Sequence, residues 1–224
     1  MPRKPESRGT CAFCGESLLR RGIEKHLALC AKYQQAQSES DQLSENVWRI
    51  RVQDAYSSDF WLELDMRGSA SLNMLDKYLR AIWLECCGHL SEFTLGGWGG
   101  SKLGKARKAG ETFAPGMVVR HIYDFGTSSE TDIRVLGMRQ GKPLSKHPIT
   151  LLARNLSPEY VCEECGQPAA WLCMECIYED QKQGTLCDVH AEEHPHDNYG
   201  EPMKIVNSPR MGMCGYDGPA EPPY

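Results

Sequence analysis

Long apolar runs are missing from this 224-residue chain. None approaches the ~18–20 apolar residues that a membrane-crossing helix needs. The start, Met1-Pro2-Arg3-Lys4-Pro5, lacks the apolar core of a secretory signal, so a cytoplasmic protein with no membrane partner is expected. Basic residues are nearly absent from one stretch: positions 158–201 hold eleven acids and only Lys182. Such a segment is a poor surface for a phosphate backbone. The formal charge of −5 belongs almost wholly to it, because 1–40 carry seven Lys/Arg against four acids and 41–157 fifteen against thirteen. Cysteine is scarce in the centre, where Cys86 and Cys87 stand alone, and a repeat of fixed period is absent.

Cysteine is abundant at the ends. The chain has eleven, and in a reducing compartment that number points to metal ligation before disulfides. The polar run Gln34–Gln42 has too little apolar content to pack and marks a linker, and Ser157-Pro158-Glu159 marks a second joint. The expected organisation is a zinc finger over 1–34, a linker over 35–45, an α+β domain over 46–157 and a two-zinc Cys/His module over 158–218.

In the first module, Cys11 and Cys14 are followed by His26 and Cys30, four soft ligands at the spacing of a tetrahedral structural zinc. His26 and Cys30 share one face of a helix expected over Glu16–Tyr33, beside Leu19, Ile23 and Leu27. About thirty residues bury too little core to fold unaided, so metal would supply the missing stability, of order ~10 kcal/mol. Arg20, Arg21, Lys25 and Lys32 give that helix a basic side, which in the classical zinc-finger family it resembles in spacing would face nucleic acid. The same residues also suit a solvated face on a protein-contact finger.

The central module alternates apolar and polar residues over Val47–Val52 and Asp59–Met66, the pattern of strands with one buried face. Ser69 or Ser71 then caps a helix in which Leu72, Leu75, Leu79, Ile82 and Cys86 recur at helical spacing up to Gly88. Further strands are expected at 89–95, 117–123, 131–136 and 149–153, giving a sheet with a packed helix. Gly99 to Lys105 is nearly a phosphate-binding loop, but Ala106 stands where magnesium needs a hydroxyl. Asp124-Phe125-Gly126 spells the kinase metal-binding tripeptide without the companion motifs. The glycine-rich stretch 96–108 could close on a polyanion through Lys102, Lys105, Arg107 and Lys108, with Trp98 stacking on a base, or be a solvated loop. Cys86 and Cys87 read as ordinary thiols at a helix end, and His89, His121 and Asp124 would make an enzyme only if a pocket gathered them.

Val47-Trp48-Arg49-Ile50, the helix with Tyr78-Leu79 and Ile82-Trp83, and above all Ile122-Tyr123-Asp124-Phe125-Gly126 resemble the plasmid pRiA4b ORF-3-like family, an insertion-element passenger type. The resemblance covers about 45–156 and implies an α+β domain of mobile-element origin, with no activity carried over to named residues. Ala153-Arg154-Asn155 and the run from Asn207-Ser208-Pro209-Arg210 to Cys214-Gly215-Tyr216 resemble longer members with a Cys-rich tail. His121 before the motif and Thr127-Ser128-Ser129 after it depart from the family pattern.

The last module offers Cys162, Cys165, Cys173, Cys176, Cys187, His190, His194 and His196, enough for two closed sites. Seven residues between the two Cys pairs are too few for both pairs to share one metal, so interleaved sites are expected. Cys162, Cys165, Cys187 and His190 would form one, and Cys173, Cys176, His194 and His196 the other, as in the cross-braced B-box and RING group it resembles. Cys214 would be spare, or replace His194 or His196. With three zinc ions per chain, the sequence describes a non-enzymatic adaptor whose basic finger meets DNA or RNA and whose acidic module meets protein. A protein-only interaction module and an enzyme sited in the central domain are the alternatives.

Overall fold

The alternation in the central segment builds one antiparallel sheet with two covered faces. The structure, a computed structural model, describes residues 7–195 and 198–224. In chain order the elements are β1 (Arg8–Cys11), β2 (Ser17–Leu19), α1 (Ile23–Leu29), α2 (Ala31–Glu39), β3 (Glu45–Asp54), β4 (Trp61–Arg67) and α3 (Leu72–Leu79). They continue with β5 (Ser91–Leu95), β6 (Ser101–Leu103), α4 (Ala109–Thr112), β7 (Val118–Tyr123), β8 (Ser129–Gly141) and β9 (Ile149–Asn155). The last are β10 (Trp171–Leu172), α5 (Met174–Tyr178), β11 (Thr185–Leu186), α6 (Asp188–Glu192) and β12 (Met203–Lys204). Nine strands form the main sheet in the order β2-β1-β9-β4-β3-β8-β7-β5-β6, and β11-β10-β12 form a small second sheet.

On one face, Trp48, Ile50 and Val52 of β3 and Leu62, Leu64 and Met66 of β4 meet Leu72, Leu75 and Leu79 of α3 in the main core. Ser71 caps α3 by accepting a hydrogen bond from the Met74 N–H. The helix continues as a π-helical turn over Arg80–Leu84, which buries Ile82, Trp83 and Leu84. It stops there, short of the expected Gly88, because Glu85 turns extended.

The opposite face of β4 carries Trp61, Glu63 and Asp65, all buried. Here Trp61 packs with Leu152 and Ala153 of β9 and with Ile23, Leu27 and Tyr33 of the N-terminal segment. The Tyr33 hydroxyl donates to Asp65, 3.1 Å away. The N-terminal hairpin is therefore continuous with the sheet, since β1 pairs β9 through Gly9–Asn155, Thr10–Arg154 and Cys11–Ala153. Gly9 makes this approach feasible: a Cβ there would lie 2.4 Å from both the Arg154 carbonyl and the Trp61 ring.

Two expectations need correction. The helix expected over Glu16–Tyr33 begins only after β2 and a 3-10 turn, and it breaks at Cys30, whose extended backbone separates α1 from α2. The polar linker is largely α2, and Ser40 beyond it is buried, its carbonyl held by the Lys142 ammonium at 2.8 Å. Polar composition identified a segment with few apolar contacts; it did not distinguish a solvated helix from a free chain.

The C-terminal tail also departs from the expected boundary at 218. Beyond β12 it runs back over the central domain: Ser208 donates to the Trp83 carbonyl at 2.6 Å, Arg154 donates to the Asn207 carbonyl at 2.6 Å, and the Asn155 and Asn207 amides bond at 2.7 Å. Tyr216 and Ala220 are buried, and the Tyr224 ring stacks on His147 with centroids 4.0 Å apart.

Candidate metal centres

Zinc bound at about 2.3 Å to sulfur and 2.0 Å to imidazole nitrogen places ligand atoms about 3.3–3.8 Å apart around a tetrahedron. Four groups of Cys and His among the described residues bring their ligand atoms within 4.8 Å of one another. None of the eleven cysteines is joined in a disulfide.

The first group is Cys11, Cys14, His26 and Cys30. Cys11 ends β1, and the turn that follows is closed by the Gly15 N–H on the Cys11 carbonyl at 2.9 Å, which presents Cys14. His26 comes from α1 and Cys30 from the break before α2. The imidazole Nε2 lies 3.3 Å from Cys14 Sγ, and Nδ1 lies 3.3 Å from the Glu16 carboxylate. This is the arrangement by which a carboxylate orients a metal-binding histidine.

The second group unites Cys162, Cys165, Cys187 and His190. Cys165 and Cys187 sulfurs are 3.8 Å apart, and His190 Nδ1 lies 3.4 Å from Cys162 and 3.3 Å from Cys187. Burial pushes the Cys162 thiol up, but backbone N–H groups of Cys187, Cys165 and Glu164 outweigh it and draw the thiol down to about 6, favouring the thiolate that binds metal.

The third group is Cys173, Cys176 and His194, with Cys176 Sγ 3.3 Å from His194 Nε2. His196, expected as its fourth ligand, lies outside the described residues. The ligands of the second and third groups alternate along the chain, the interleaving expected from the short spacing between Cys pairs.

The fourth group was not expected: Cys86, Cys87, His89 and Cys214. The adjacent cysteines, expected as ordinary thiols at a helix end, gather with His89 and with Cys214, which does not join the His194 group. No knuckle spacing announces this set, because its members come from a turn after the π-helical segment and from a tail more than 120 residues later.

The basic residues expected to meet nucleic acid are dispersed. Arg20 donates to Gln53 of β3, while Arg21 and Lys25 are exposed on the outer side of the finger. Lys102 pairs with Glu92 at 2.6 Å. Lys105, the lysine of the phosphate-loop look-alike, is bonded to Asp76 at 3.0 Å and to Ser91 at 2.6 Å. Arg107 and Lys108 are exposed, but their backbone is fixed: Leu72 N–H donates to the Arg107 carbonyl at 2.9 Å. The glycine stretch contains β6 and is no free loop. Trp98, 52% exposed, donates to Glu130 at 2.8 Å and rests edge-on against Phe125, so its ring is already held. Finger and glycine stretch occupy opposite ends of the sheet, eight strand spacings or about 38 Å apart measured across it.

Of the candidate catalytic residues, His89 and Asp124 meet, whereas His121 bonds Asp76. His121 is fully buried, and its Nε2 donates to Asp76 at 2.8 Å. Burial holds its imidazole below the usual histidine range, against the opposing pull of Asp76. Asp76 is itself pushed up by burial, yet hydrogen bonds from His121, Ser91 and Lys105 hold it well below the carboxylate range. Asp124, in a left-handed backbone conformation, instead receives the fully buried Arg210 at 2.7 Å and the Gly126 N–H at 2.9 Å. His89 lies 3.4 Å from the same carboxylate and belongs to the fourth Cys/His group.

The C-terminal module also carries a groove of about 530 Å³, lined by Trp171, Asp188, Glu192, His194, Glu201 and Pro202 among others. Trp171 donates to Asp188 at 2.8 Å, and Lys204 lies over its ring.

No family model matches the chain, and no curated protein matches it in sequence. Among solved structures, the chain is similar to a protein of unknown function, MM3350, from Methanosarcina mazei Go1, at 16% identity and a TM-score of 0.41, covering 56% of this chain and 76% of that one. No helix among the described residues is long and apolar enough to cross a membrane.

Proposed function

We propose that the chain is a zinc-stabilised, non-enzymatic adaptor, with zinc in the finger and in both sites of the C-terminal module, three ions at the positions expected from spacing. The observation that carries this reading is the gathering of Cys and His ligand atoms within 4.8 Å of one another, with pairs such as Cys14–His26, Cys165–Cys187 and Cys176–His194 at 3.3, 3.8 and 3.3 Å. Soft thiolates with imidazole favour zinc over the hard cations, and a site closed by four protein ligands leaves no position for an activated water. The acidic, tryptophan-lined groove beside His194 suits a Lys/Arg-bearing segment of a partner protein, and the solvent side of the finger, with Arg21 and Lys25, suits a nucleic-acid backbone. Residues 45–156 are assigned to the pRiA4b ORF-3-like family, a mobile-element type. Supporting this is the meeting of the segments that carry the resemblance: Arg210 bonds Asp124, and Asn207 bonds Asn155.

A protein-only module is the second reading, favoured by the pairing of Lys102 and Lys105 with acids and by their distance from the finger. Retention of a mixed-sequence duplex, measured against salt, separates the two. If the finger binds phosphates, Arg21→Glu with Lys25→Glu weakens retention about tenfold and lowers the salt slope by about 2. Unchanged retention and slope would remove nucleic acid from the proposal and leave the protein-only reading.

A further inference from the structure

We propose a fourth zinc site, formed by Cys86, Cys87, His89 and Cys214, which bolts the C-terminal tail to the central domain. Its geometry matches that of the groups found by spacing. Cys87 Sγ lies 3.6 Å from Cys86 Sγ and 3.4 Å from Cys214 Sγ, while His89 Nε2 lies 2.9 Å from Cys87 Sγ and 3.5 Å from Cys214 Sγ. Three of these separations fall within the range of ligand atoms around a zinc ion, His89 Nε2 sits closer to Cys87 Sγ, and both sulfur pairs are far longer than the ~2.05 Å of a disulfide. Three thiolates and one imidazole form a soft set suited to zinc, with no protein ligand missing.

The chain conformation serves this convergence. Gly88, at φ +75° between Cys87 and His89, folds the turn so that both side chains face one point. On the tail, Cys214 itself takes the left-handed conformation (φ 53°, ψ 36°), unfavourable for a non-glycine residue and one that a bound metal would offset. Gly212 and Gly215 flank it, also with positive φ. Cys87 and Cys214 are exposed, so apolar packing does not explain why they meet.

The surroundings are those of a ligated thiolate. The Arg210 guanidinium donates to Cys86 Sγ through Nε at 3.4 Å and Nη2 at 3.3 Å, and the Tyr123 hydroxyl lies 3.8 Å from the same sulfur. Arg210 also donates to the Thr127 carbonyl at 2.9 Å, Ser129 Oγ at 3.0 Å and Asp124 at 2.7 Å, so one buried cation links the site to the Tyr123–Gly126 turn. Three thiolates with Zn²⁺ carry a net charge of −1, and the guanidinium faces it while pairing with Asp124, whose carboxylate lies 3.4 Å from His89 Nε2. The function inferred is mechanical: the metal fastens the segment that follows the second sheet across the π-helical turn. The inference is independent of what the finger or the acidic groove binds.

The test uses the full-length, zinc-loaded chain. Iodoacetamide alkylation followed by peptide mapping reads Cys87 and Cys214 directly, with a short cysteine peptide as the reference thiol. Ligated, both react at least tenfold more slowly than the reference although they are exposed, and native mass spectrometry counts one zinc more than in Cys87→Ser/Cys214→Ser. If both alkylate at the reference rate, or if the mass is two hydrogens lower, as a Cys87–Cys214 disulfide would give, the proposal is overturned. Should the double variant fail to fold, the alkylation of the wild-type chain alone decides. A finger variant, Cys14→Ser, is expected to lose one zinc and keep Cys87 and Cys214 protected, so that failure of the finger and failure of this site are read separately.

Discussion

The finger and the C-terminal module both gather Cys and His side chains that could hold a metal ion, yet they stand on different supports. The finger borrows a core: its Ile23 and Leu27 are fully buried against Trp61 and Leu152 of the main sheet, and its hairpin is hydrogen-bonded to β9. Each such side chain contributes about 1.5–3 kcal/mol, so these two alone supply a substantial share of the ~10 kcal/mol of a structural zinc. Among the described residues the C-terminal module has far less, since its buried cluster is Cys162, Cys173, Cys176 and Leu186, with Leu172 also buried in β10. Three of the cluster's four residues are the ligands themselves. A metal site can thus be an addition to a core or take the place of one.

The largest expected effect follows from that contrast. Removing zinc with a chelator should abolish amide protection through β10, α5, β11 and α6 while β3, β4 and β8 keep theirs, as hydrogen exchange with mass spectrometry would read. Loss of protection in the finger should stop short of β1, which stays paired with β9. Equal loss in finger and module would break the comparison.

Next in size, Trp61→Ala should cost about 3–5 kcal/mol in chemical unfolding, because a fully buried ring shared by sheet and finger is removed. The same variant should loosen zinc in the finger and leave the C-terminal zinc affinity unchanged. A variant that affects both modules alike would show that the finger does not depend on this face.

The smallest effect concerns pH. His121 is held below its ordinary value of 6.5, so the unfolded chain takes up that proton first and stability falls as pH drops below about 6.5. Asp76 is depressed from 3.8, and its contribution, present above that value, is lost as pH falls further. His121→Gln can keep a donor to Asp76 but cannot titrate. It should flatten the stability slope between pH 6.5 and 5 relative to the wild type, and identical slopes would refute the assignment.

What the sequence made legible was whatever a local period or a short spacing encodes. The alternation of Trp48, Ile50 and Val52, the Ser71 cap and the interleaved C-terminal Cys/His pairs all lie within a few dozen residues, and each reappears in the mixed helix-and-sheet structure. Contacts across long separations were not legible. Trp61 falls opposite the alternating apolar face of the expected strand, and nothing local says that it supports the finger. Lys105 looked like a free cation because Asp76, its partner, lies 29 positions earlier. Cys86, Cys87 and Cys214 looked ordinary for the same reason, although the resemblance had already singled out the tail that carries Cys214. The two covered faces of the sheet were hidden because Glu63 and Asp65, polar by type, are buried beneath the finger with Arg51 and Arg49 as partners.

The central claim is that cysteine and histidine organise this chain by binding zinc, and metal analysis of the purified full-length protein tests it most directly. Four zinc ions per chain are expected, three in the finger and C-terminal module and one at Cys86, Cys87, His89 and Cys214. One ion or none would contradict the account.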